Sequence, residues 1–71
     1  MRLPEKIALI YNPRAGKLLR NPHLVERTIE AVRKHGPVEV RPTTGPGTAG
    51  ELARQEVARG ADWIVTLGGD G

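Results

Sequence analysis

The amino-acid sequence predicts an α/β fold, a three-layer parallel sheet built in the order β-α-β-α-β. Three observations lead there. The apolar runs Ile7-Ala8-Leu9-Ile10 and Ile64-Val65-Thr66-Leu67 are nearly continuous rather than alternating, the pattern of strands covered on both faces. Between them lie two stretches of helical spacing, each bounded by capping and breaking residues. The connections are short, and strands joined through a helix run parallel with right-handed crossovers.

The first strand spans residues 6–11 and is closed by Asn12-Pro13, because proline lacks the N–H that a ladder needs and restricts the residue before it. A loop follows through Gly16, Lys17 and Arg20. Asn21-Pro22 predicts the start of the first helix, with Asn21 at the N-cap and Pro22 at the first helical position. Leu24, Val25, Ile29 and Val32 form its inward stripe. Gly36 is expected as a left-handed cap, and Pro37 prevents continuation. Val38-Glu39-Val40-Arg41 alternates and reads as a short second strand, followed by a turn-rich loop at residues 42–47.

Thr48-Ala49-Gly50-Glu51 has the form of a capping box. The second helix is expected to turn Leu52, Ala53, Val57 and Ala58 inward and to stop at Gly60. Residues 62–67 form the third strand, which empties into Gly68-Gly69-Asp70-Gly71. If the loops after strands one and three are to share a ligand, those strands must be neighbours. That gives the order 2-1-3, with a crevice where the winding reverses. Three apolar strands with two helices leave apolar surface and an edge uncovered. The sequence therefore reads as an incomplete part of a larger domain, of the Rossmann-like or phosphofructokinase-like kind.

The composition narrows the partners. Seventy-one residues with 38% hydrophobic and 27% charged side chains suit one small globular unit. The net charge of +3 favours an anionic ligand. It is too small and too scattered to indicate nucleic acid, and one Trp, one Tyr and no Phe provide no platform for stacked bases. The absence of cysteine removes disulfides and thiolate metal sites, and neither histidine belongs to a ligand cluster. The apolar run at residues 7–10 is too short for a leader segment or a membrane span, so the chain reads as cytoplasmic.

Two loops carry the chemistry. Gly68-Gly69-Asp70-Gly71 is in isolation a tight turn, since Asp-Gly occurs in turns of every kind. At the carboxyl end of a buried strand it lies where α/β folds bind ligands. There glycines let backbone N–H groups approach a phosphate, and a carboxylate handles magnesium or water. No Gly-Lys-Ser/Thr follows, so it is not a Walker A loop. Asn12-Pro13-Arg14-Ala15-Gly16-Lys17 is either a plain strand-to-helix connection or the second half of a nucleotide site. In the second reading Asn12 and the Gly16 backbone fix the nucleotide while Arg14 and Lys17 supply charge. Thr43 or Thr44 could donate to a phosphate or a base.

Four features in order give the chain its resemblance to the catalytic domain shared by diacylglycerol kinases, sphingosine kinases and bacterial lipid kinases. They are Asn12-Pro13-x-x-Gly16 after an apolar strand, Thr43 six residues before Ala49, the helix segment Glu51-Leu52-Ala53-Arg54, and Gly68-Gly69-Asp70-Gly71. NAD kinases and phosphofructokinases share the last motif, and the upstream Asn-Pro loop is what favours the lipid branch. The resemblance implies phosphorylation of a lipid hydroxyl by ATP with Mg2+. Asn12, Pro13, Gly16, Thr43, Gly68, Gly69, Asp70 and Gly71 would contact nucleotide, and Asp70 would also serve in catalysis by positioning nucleotide and metal. No protein ligand to a resident metal is assigned. The lipid would be met at the membrane surface by peripheral contact, and a homodimer is left open. The family's lipid pocket and general base lie in a second, β-rich domain beyond residue 71, so these 71 residues are expected to be inactive alone. A kinase of another acceptor, or a non-catalytic nucleotide-binding domain, would carry the same loops.

Overall fold

The computed structural model describes residues 3–45 and 47–68. Three strands form one all-parallel sheet: β1 at Ile7–Tyr11, β2 at Val38–Pro42 and β3 at Trp63–Leu67. Their order is β2-β1-β3, the order expected from the sequence, and it makes the strands before the Asn12 and Gly68 loops neighbours. Ile7 pairs with Val38 on one side and Trp63 on the other, and Tyr11 pairs with Pro42 and Leu67. The central strand is therefore the dry one. Ile7, Ala8 and Leu9 have no exposure and Ile10 has 1%, which is what the unbroken apolar run encodes.

Helix α1 covers Gly16–Arg20, α2 covers Leu24–Arg33 and α3 covers Thr48–Ala58. Side chains alternate across a strand, so Ile7, Leu9, Val38, Val40, Trp63 and Val65 share one face, and Ala8, Ile10, Glu39, Arg41, Ile64 and Thr66 the other. The His35 ring, just past α2, lies 5.4 Å from the Trp63 ring on the first face. Glu56 of α3 bonds Arg41 on the second. The two long helices thus cover opposite faces, as right-handed crossovers in opposite directions demand.

Local chemistry departs from the sequence expectation at four places. Residues 16–20, expected as loop, form a helix. Asn21 consequently ends that helix, its N–H donating to Lys17 O, and α2 begins at Leu24 behind a turn in which Leu24 N donates to Asn21 O at 3.0 Å. Gly36 is not left-handed, since the described glycines with positive φ are Gly47, Gly60 and Gly68. Its constraint is steric, because a Cβ there would lie 2.6 Å from Pro4 O.

The capping box does not form either. Gly47, left-handed at φ 77°, occupies the N-cap of α3. The Thr48 hydroxyl turns back into its own loop, accepting from Thr44 N and Gly45 N and donating to Gly45 O at 2.7 Å. Finally, the inward stripe of α3 is Leu52, Ala53 and Glu56, while Val57 and Ala58 face solvent. Gly60 does end the helix, with φ 96°.

Candidate nucleotide edge

The carboxyl end of β1 is tied to both flanking loops by backbone hydrogen bonds. On the β3 side Asn12 N donates to Leu67 O at 3.2 Å, and on the β2 side Thr43 N donates to Tyr11 O at 2.8 Å. These bonds carry the sheet ladder past its last paired residues. They set Thr43 and Gly68 on either side of Asn12, about 10 Å apart at two strand spacings.

Gly68 is where the two glycine-bearing loops meet. Its φ is +121°, and a Cβ there would lie 3.3 Å from Ala15 Cβ, 3.4 Å from Asn12 Cβ and 3.5 Å from Asn12 N. Both the backbone angle and the close approach call for glycine. Gly69, Asp70 and Gly71, the remainder of the motif, lie outside the described residues.

The Asn12 loop is folded by its own polar groups. Asn12 Oδ1 accepts from Arg14 N and Asn12 O accepts from Ala15 N, both at 3.0 Å, an Asx turn closed by a second bond. That use of Oδ1 fixes the amide orientation and leaves Nδ2 without a partner among the described residues, on a half-buried side chain at the sheet edge. Ala15 and Leu18 are buried beneath the loop, whereas Pro13, Arg14, Gly16 and Lys17 are exposed. Gly16 opens α1, and a Cβ there would touch only the tip of Arg20 at 3.5 Å. The chain's own packing therefore does not demand glycine at 16.

The two threonines separate cleanly. Thr44 N is bound to Thr48 Oγ1 in the loop's internal turn. Thr43 is half-buried and anchored to β1 through its backbone, and its hydroxyl has no partner among the described residues. Thr43 thus offers the uncommitted hydroxyl at the edge. An open groove of about 390 Å³ lies where the end of β1 meets α1 and α2, lined by Tyr11, Pro13, Leu18, Leu19, Pro22, Val25 and Glu26.

A charge cluster on the α3 face was not foreseen from the sequence. Glu56 is fully buried. Its Oε2 pairs with Arg41 Nη1 and with Arg59 Nη1 at 3.4 Å, and its Oε1 faces Lys6 Nζ at 3.4 Å. Lys6 also pairs with Glu39 at 2.9 Å, and Arg41 Nη2 donates to Gln55 Oε1 at 3.1 Å. The hydrogen bond from Lys6 lowers the Glu39 pKa, and the same bond raises that of Lys6. The available signal was the alternation of β2, which puts Glu39 and Arg41 together on a face that a helix must cover.

Among the described residues no group of three or more His, Cys, Asp or Glu side chains is arranged to hold a metal ion, and no helix is long and apolar enough to cross a membrane. For a nucleotide, the described groups fit in kind. Gly68 supplies a position without a side chain, and the Asn12 Nδ2 and the Thr43 hydroxyl can donate to an anion.

The three strands and the helices between them define a parallel α/β fold, the class in which ligands bind at the carboxyl ends of the strands. Within that class, residues 6–71 match the diacylglycerol kinase catalytic domain. The match covers nearly the whole chain, which therefore belongs to the diacylglycerol kinase catalytic domain family. A search of curated proteins returned no match.

Proposed function

We propose that this chain is the amino-terminal, nucleotide-binding part of an ATP-dependent lipid kinase, which transfers the γ-phosphoryl group to a lipid hydroxyl. The observation that carries the reading is the packing of Gly68 against Asn12 and Ala15, in a chain of this family. It makes one edge out of the two loops that the resemblance assigns to nucleotide.

Magnesium-bound ATP would supply the phosphoryl group and neutralise charge in the transfer. The chain's own part is to bind and orient. Asn12 would donate from Nδ2 while its Oδ1 keeps the loop folded, Thr43 would donate its hydroxyl from the opposite flank, and Gly68 would leave space for a phosphate oxygen. Pro13 and Gly16 would shape the loop around the nucleotide, with Arg14 and Lys17 as exposed cations nearby. Gly69, Asp70 and Gly71 would complete the phosphate loop, with Asp70 positioning nucleotide and metal. The lipid would be presented at a membrane surface by peripheral contact of a cytoplasmic protein.

The test is incubation of the full-length protein with γ-labelled ATP, Mg2+ and a panel of diacylglycerol, sphingosine, NAD and fructose 6-phosphate. Label in a lipid product, lost in Asp70→Ala with the fold retained, is the expected result. Label in NAD or sugar phosphate would overturn the acceptor while keeping the nucleotide edge. ATP binding without transfer to any acceptor would overturn the kinase reading.

A further inference from the structure

We infer that Glu56 is a positioning residue for the nucleotide edge, acting through Arg41 to hold the Thr43 loop in register. The inference rests on the nucleotide reading given above. It arises from the way the three layers meet. Helix α3 packs over β1 and β3, and on the side facing α3 the strand β2 presents Glu39 and Arg41. Apolar contact therefore has no purchase on that face of β2, an outer strand of the sheet among the described residues.

What joins α3 to β2 is charge. Arg41 grips the helix with both arms of its guanidinium, one on Glu56 Oε2 and one on Gln55 Oε1, a forked geometry that fixes orientation as well as distance. Glu56 is fully buried and Arg41 largely so, with 22% of its side chain exposed. A buried carboxylate is tolerable only while paired, so the helix cannot retreat from its cations at low cost. Arg41 stands two residues before Thr43, whose N–H is the last bond holding the β2 end to Tyr11.

The connection back to α3 closes the device. From Thr43 the chain runs into the turn stitched by the Thr48 hydroxyl and enters α3. That helix returns Glu56 to Arg41. The loop bearing the uncommitted Thr43 hydroxyl is thus held from both ends, by the ladder bond before it and by the helix after it. Loosening the clamp releases the β2 end and moves that hydroxyl relative to Asn12.

The experiment compares full-length wild type with Glu56→Gln, Arg41→Lys and a control, Ile29→Ala, on the α2 face away from the edge. Arg41→Lys keeps the charge and loses the fork, so the clamp remains testable if Glu56→Gln does not fold. Binding of a non-hydrolysable ATP analogue with Mg2+ and hydrogen exchange at the Thr43 amide are measured below the melting range of every protein. The clamp variants should bind about two- to thirtyfold more weakly, the range for coupling carried by a packed network. Protection should fall at Thr43 and not across β1, while Ile29→Ala keeps wild-type affinity. Unchanged affinity in the clamp variants, or equal weakening in the control, would overturn the inference. A wild type that binds no analogue would overturn the nucleotide reading itself, and Thr43 exchange would then still decide whether the clamp exists.

Discussion

Replacing glycine by alanine at positions 68 and 36 separates two physical demands that look alike in the sequence. At Gly68 a Cβ would meet Ala15 Cβ at 3.3 Å and Asn12 Cβ at 3.4 Å, contacts that a shift of a few tenths of an ångström relieves. The larger cost is the backbone, held at φ +121°, where an L-residue is strained by about 1–3 kcal/mol. Relief of that strain would swing Gly68 off the Asn12 loop. Gly68→Ala should therefore lose about 1–3 kcal/mol of stability and, on the nucleotide reading, weaken ATP binding by at least about tenfold, since about 1.4 kcal/mol is one decade.

At Gly36 the angle is ordinary, and the cost is the Pro4 carbonyl oxygen 2.6 Å from the new Cβ. Overpacking of that kind costs about 1–3 kcal/mol. It lies at the opposite end of the sheet from Gly68, since Gly36 adjoins the start of β2 and Gly68 follows the end of β3. Urea denaturation and calorimetric titration with an ATP analogue, run on both variants of the full-length protein, give the comparison. Both should lose stability, and Gly68→Ala alone should lose affinity. Equal affinities in the two variants would refute the assignment of Gly68 to the ligand edge, and an undiminished stability in Gly68→Ala would refute the strain argument.

Three other outcomes follow from the same geometry. Asn12→Ala removes the acceptor of Arg14 N and should cost about 0.5–1.5 kcal/mol in a denaturant titration, together with a loss of ATP affinity; intact affinity would remove Asn12 from the site. Leu9→Ala empties a fully buried position in the central strand and should cost about 2–5 kcal/mol, read by the shift in denaturation midpoint; an unchanged midpoint would refute its place in the core. The Lys6–Glu39 pair sets a pH window. With its pKa lowered by the Lys6 hydrogen bond, Glu39 contributes fully above its ordinary 4.5, and the contribution is lost as the pH falls through the lower folded value. Lys6, raised by the same bond, contributes fully below 10.5 and loses that contribution as the pH rises through its higher folded value. Stability against pH should therefore slope off at both ends, and Glu39→Gln should flatten both slopes; slopes unchanged in that variant would exclude the pair as their source.

Strand positions and sheet order were legible in the sequence because they follow from one-dimensional signals. An unbroken apolar run has no solvent-facing side to offer, so residues 7–10 had to lie at the centre. The order 2-1-3 then follows from requiring the loops after strands one and three to meet. The membership of Asn12 and Gly68 in one edge was legible for the same reason, since both follow directly on neighbouring parallel strands. Helix α1 was not, because five residues are too few to show a helical period.

What only the tertiary structure decided concerns groups with more than one local use. Thr48 has the spacing of a capping box, yet its hydroxyl closes the preceding loop, because left-handed Gly47 moves the helix start and brings Gly45 within reach. Gly36 and Gly68 are the same residue type, one required by the Pro4 carbonyl, a neighbour distant in the chain that spacing along the sequence cannot locate, and the other by its own φ. Thr43 and Thr44 differ only in which one the loop itself consumes. Glu56 was placed inward against its polarity because Arg41, Arg59 and Lys6 converge on it. Burial of a charge depends on partners distant in the chain, and a hydrophobic pattern read along one helix carries no information about them.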